Sequence, residues 1–101
     1  MMKLKITKPS AFADPLYVAM NSNGMLLMLT KPKVHNVIVA EKAIIAANDK
    51  ESVVKAIVHY DEFGGYHPIL MRFSELEPYC THNKVSILYD GSNIHDLYKV
   101  N

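Results

Sequence analysis

Cysteine occurs once in this 101-residue chain, at Cys80, and arginine once, at Arg72. Small secreted domains usually carry an even set of cysteines as a disulfide framework, so a lone thiol points to a reducing compartment. Four glycines and five prolines are too few for a linker or a low-complexity tract. No apolar run exceeds five residues, residues 25–29 being one, far short of the roughly 20 that cross a bilayer as a helix. Residues 1–8 carry the positive charge of a signal peptide but not its apolar stretch. These absences lead us to expect a soluble, cytoplasmic protein with no membrane partner.

Half of the residues are apolar and 21% are charged, the proportions of a chain that buries a core. At this length one domain, 1–101, is expected. The net charge of +1 argues against a strong electrostatic affinity for nucleic acid. The charge is unevenly spread. Residues 1–33 hold Lys3, Lys5, Lys8, Lys31 and Lys33 against Asp14, whereas residues 41–77 hold four cations against seven acids. If the fold keeps these segments apart, the molecule has a positive and a negative side, which would orient a partner.

Short strand-like runs separated by turns dominate the pattern. Leu4 and Ile6 alternate with lysines, as on an edge strand. Residues 16–20 and 25–30 flank Asn21-Ser22-Asn23-Gly24, a strong hairpin signal. The second arm is apolar on both faces, so it is expected inside a sheet covered on each side. Residues 37–39 favour a strand, and the alanine-rich residues 40–47 read as a short helix or loop. Asn48 followed by Glu51 resembles a capping box. Val53, Val54, Ile57 and Val58 then fall on one helical stripe, with Gly64-Gly65 as the stop. Their β-branching leaves a strand over residues 53–60 as the alternative. Residues 66–73 alternate as a strand, residues 74–77 suggest one helical turn before Pro78, and residues 85–89 and 94–100 form a second hairpin about Asp90-Gly91-Ser92-Asn93. The expected fold is α+β: a small single domain with a mainly antiparallel, hairpin-linked sheet of five to six strands and one or two helices.

Five histidines, His35, His59, His67, His82 and His95, stand in no spacing that zinc sites favour. Folding about Gly64-Gly65 could bring His59, Asp61 and His67 together to hold a metal or run acid–base chemistry, but separate surface or half-buried histidines are the commoner arrangement and are expected here. Cys80 has His82 two residues away, but nothing in that spacing aligns a base with the thiol, so a partly buried thiol in a loop is expected. Gly64-Gly65 lacks the lysine and hydroxyl of a phosphate-binding loop. Six methionines are the most unusual count, with Met20, Met25 and Met28 on the first hairpin. Flexible, polarisable methionines suit either core filling or an adaptable contact surface.

Residues 9–40, with Asp14-Pro15-Leu16 before two apolar runs, resemble in outline the strand pair of phage-associated toxin nucleases. That resemblance covers about a third of the chain, contains no catalytic motif and implies no site residue. The expected function is that of a small non-enzymatic protein-binding domain acting by protein–protein contact, of the inhibitor, immunity, antitoxin or viral accessory kind. No cofactor or metal is expected. The binding surface would comprise Tyr17, Met20, Met25, Met28, Lys31 and Lys33, and self-association into a homodimer would cover apolar surface left by so few helices. The alternatives are a metal-independent ribonuclease using His59, His67 and a nearby tyrosine or lysine, and a nucleic-acid-binding regulator using the N-terminal lysines.

Overall fold

The computed structural model describes residues 13–60, 64–91 and 94–98. Its elements run β1 (Leu16–Asn21), β2 (Leu29–Thr30), β3 (Lys33–Val34), β4 (Val37–Ile38), β5 (Lys42–Ala47), α1 (Lys50–Tyr60), β6 (Tyr66–Met71), α2 (Phe73–Asn83), β7 (Ser86–Gly91) and β8 (Ile94–Tyr98). One sheet has the order β6-β1-β5-β7-β8, with β2 also paired to β5, while β3 and β4 pair with each other. All pairs are antiparallel except β5 with β7. The chain is a small α+β domain, with two helices among the described residues. The strand expected at residues 3–7 lies outside the described residues. Among the described residues no helix is long and apolar enough to cross a membrane.

The pairings put β5, β6 and β7 in one direction, with β1 running oppositely between β5 and β6. The α1 crossover therefore goes outward from β5 to the β6 edge, and the α2 crossover returns from that edge to β7. Connections between parallel strands are right-handed, so two crossovers of opposite sense place their helices on opposite faces. The cores agree. Val53 and Ala56 of α1 pack with Ala19, Leu29, Ile45 and Ala47. Leu76 and Cys80 of α2 pack with Leu16, Val18, Ile44, Ala46, Ile87 and Tyr89. Alternate residues of β1 and β5 thus feed two cores, one on each face.

This explains the first correction. Residues 42–47, read as part of a short helix or loop, form β5, and Ala43 to Ala47 are all buried. A strand covered on both faces shows no alternation, so its apolar run mimics a buried helix. The helix after it is capped by Asp49 rather than Asn48: Ser52 N–H donates to Asp49 Oδ1 at 3.2 Å. Asn48 Oδ1 instead accepts from Ala13 N–H at 2.7 Å. The apolar stripe divides, with Val53 and Ile57 turned to the sheet and Val54 and Val58 exposed. Gly64 and Gly65 have φ of 77° and 104°, a conformation that glycine alone adopts cheaply, and they lead into β6.

The first hairpin is much shorter than the expected pairing of residues 16–20 with 25–30. β1 pairs with β6 along its length, and among the described residues Met20 alone of β1 bridges back to the second arm, at Leu26. The second arm does bury both faces, Leu26 in the α2-side core and Leu27 and Leu29 in the α1-side core. Its end, β2, lies antiparallel to the start of β5, whereas β1 pairs with the end of β5. β2 therefore takes up the flank of β5 that β1 leaves. The strands are also less hairpin-linked than their order suggests, since β5, β6 and β7 are joined through helices.

Helix α2 is the other correction. It runs eleven residues through Pro78, where one turn before the proline was expected. Proline has no N–H to give Ser74 C=O. The helix persists because Leu76 and Cys80 are fully buried and because both ends are held. Phe73 N–H donates to Asp14 Oδ1 at 3.0 Å. Lys84, at φ 55°, donates its N–H to the carbonyls of Cys80 and Thr81, a left-handed helix stop.

Candidate functional site

On the α1 face, the helix and the β3–β4 hairpin leave a cleft of about 300 Å³ between them. The helical wall is Ser52, Lys55, Ala56, His59 and Tyr60, spaced i, i+3, i+4, i+7 and i+8 along one side of α1. Lys33, Val34 and His35 of the hairpin form another wall, and Ile45 of β5 with Leu88 and Asp90 of β7 form the floor. Ile45 and Leu88 are register partners on β5 and β7, so the floor is rigid sheet. His59 and Tyr60 meet edge to face, with ring centroids 4.6 Å apart.

Local backbone geometry sets the position of His35. Val34 pairs with Val37, which leaves His35 and Asn36 as a two-residue turn, and both have positive φ, 50° and 65°. That geometry suits the twist of a two-residue hairpin but usually calls for glycine. Val39 N–H donates to Pro32 C=O at 3.0 Å and Lys31 N–H to Glu41 C=O at 2.8 Å, fastening the base of the hairpin. His35 and Asp90 are each engaged with neighbours. Lys33 and Lys55 give the cleft its positive charge.

The residues expected to form a binding surface are dispersed. Tyr17 is half-buried against the α1-side core, and Met20 and Met28 pack on the α2-side core. Met25 is 56% exposed at the turn. Lys31 is exposed, with φ 48°, next to the hairpin. Lys33 alone of the six lines the cleft.

His59 and His67 do not converge. His67 shares the strand parity of Ile69 and Met71, which pack on the α2-side core, so it faces away from His59. Asp61 lies outside the described residues, as do Lys3, Lys5 and Lys8. Among the described residues no three histidine, cysteine or acidic side chains are grouped to hold a metal. Cys80 is buried in α2 rather than in a loop, and desolvation, with Glu77 adding to it, pushes its thiol pKa up to about 12. His82, two positions on, is exposed on another side of the helix.

Sequence reasoning missed His35, Ser52, Lys55 and Tyr60 as a group. The helical spacing of residues 52–60 was readable, but the hairpin wall depends on a turn with no Asn-Gly signal. Compared with family models, curated proteins and solved structures, the chain finds no match.

Proposed function

We propose that the chain is a non-enzymatic binding domain acting by contact with another protein, through the outward side of α1 and the neighbouring strand β6. The supporting observation is Val58, 79% exposed in a helix, with Val54 also exposed one turn before it. Leu70, 53% exposed, alternates with Ile69 and Met71, which pack on the α2-side core, and so faces the α1 side of the sheet. β6 ends the strand order of the described residues. Grouped aliphatic side chains in water beside a strand edge are the usual mark of a surface that a partner covers.

The test compares wild type, Val58→Glu and Met25→Glu, each checked for unchanged circular dichroism. Sedimentation reads self-association, and co-purification from cells reads other partners. Loss of association in Val58→Glu alone supports this surface. Loss only in Met25→Glu moves it to the first hairpin, and no association in wild type ends the contact reading.

A second reading has its own observation: His35 and His59 line one cleft with Lys33, Lys55 and Tyr60. Metal-independent RNA cleavage needs a base for the 2′-hydroxyl and an acid for the leaving oxygen, and two imidazoles fill those roles. A cleavage assay on single-stranded RNA decides it. Activity lost in both His35→Ala and His59→Ala supports a ribonuclease, and no wild-type cleavage removes it.

A further inference from the structure

We infer that the cleft between α1 and the β3–β4 hairpin is a binding site for a phosphate monoester of about mononucleotide size. Lys33 of the hairpin and Lys55 of α1 both line the cleft, so a ligand in it meets a cation from each element. A phosphate monoester carries nearly two negative charges and three acceptor oxygens at neutral pH. It can engage both ammonium groups at once, with the His59 imidazole N–H as a further donor. A carboxylate, with one charge and two oxygens, would satisfy fewer of them. The lining also holds one acid, Asp90, against the two lysines, so its charge still favours an anion.

The remainder of the cleft suits a planar, partly apolar group. Ile45, Ala56 and Leu88 supply apolar surface, and Tyr60 a ring that His59 meets edge to face. Bases stack on such surfaces with little regard to sequence. A volume of about 300 Å³ lies at the small end of ligand pockets, room for one nucleotide and not for a duplex. The walls are well held: α1 is anchored by buried Val53 and Ala56, and the hairpin closes on its two-residue turn. This site is independent of the contact surface proposed above, because Ser52, Lys55 and His59 lie on a different side of α1 from Val54 and Val58.

The experiment titrates the full ¹⁵N-labelled chain with adenosine 5′-monophosphate, and separately with adenosine and with inorganic phosphate. Saturable amide shifts are expected for the monophosphate, confined to residues 33–36 and 52–60. Adenosine alone should not bind, and inorganic phosphate should bind more weakly than the nucleotide. The Lys33→Ala, Lys55→Ala double variant, folded by circular dichroism, should weaken nucleotide binding by roughly tenfold or more, while Val58→Glu leaves it unchanged. Absence of saturable shifts up to about 10 mM, or binding indifferent to the two lysines, would overturn the site. Binding of inorganic phosphate as tight as that of the nucleotide would overturn the ligand class.

Discussion

Two side chains show how local surroundings set chemistry. Cys80 is fully buried, and burial, with Glu77 behind it, raises its thiol to about 12. The reactive thiolate is then almost absent at neutral pH. Iodoacetamide is therefore expected to leave the native protein unmodified and to alkylate Cys80 in denaturant, as mass spectrometry would read. Rapid native labelling would contradict the packing of α2. Asp49 is shifted the other way. The Ser52 hydroxyl, then the Ser52 backbone N–H, donate to its carboxylate and hold it below the ordinary 3.8. A group lowered in the folded state stabilises above its unfolded value and loses that contribution as pH falls through the folded one. Asp49→Asn keeps a capping oxygen but not the charge. Its melting temperature should lie below wild type at neutral pH and converge with it in acid below 3.8. A gap that persists there would assign the effect to something other than the carboxylate.

At the scale of elements, α2 is the clearest case of packing overriding propensity. Replacing Pro78 by alanine restores a hydrogen bond to Ser74 without touching the buried Leu76 and Cys80. A gain of about 1–3 kcal/mol in urea unfolding is expected, and a loss would show that the helix is shaped around the proline. The β3–β4 turn offers a second case. Asn36 sits at φ 65°, where glycine is strongly preferred, so Asn36→Gly should add roughly 0.5–1 kcal/mol by the same measurement.

These elements also show what the sequence makes legible. β1, α1, β6 and the β7–β8 hairpin follow from alternation, turn residues and helical spacing, all local signals. β5 was obscured because a strand buried on both faces loses its period. α2 was cut short because proline is a strong local signal that tertiary burial outweighed. For the candidate site, the wall on α1 lay open to reading at residues 52–60. The wall carrying Lys33 and His35 did not, since only the folded sheet brings residue 35 to the same cleft as residue 59.

For the molecule as a whole, the central fact is that one sheet serves two cores. Ile44 and Ile45 are neighbours in β5, yet the first packs under α2 and the second under α1. Ile44→Ala should cost about 2–5 kcal/mol, a large share of the roughly 5–15 kcal/mol that holds such a domain folded. Unfolding should remain a single transition when followed by fluorescence and by circular dichroism, because both cores share β1 and β5. Two separated transitions would mean that the faces melt independently.

The position of β1 bears on how the chain leaves the ribosome. Its flanks are filled by Lys42–Ala47 and Tyr66–Met71, stretches translated well after it. At roughly 5–20 residues per second that interval lasts several seconds. During it Leu16 and Val18 wait with open backbone groups beside them, the kind of segment that chaperones hold and that aggregates nucleate on. Slowing translation between residues 21 and 66 should lengthen that wait and lower the yield of native protein.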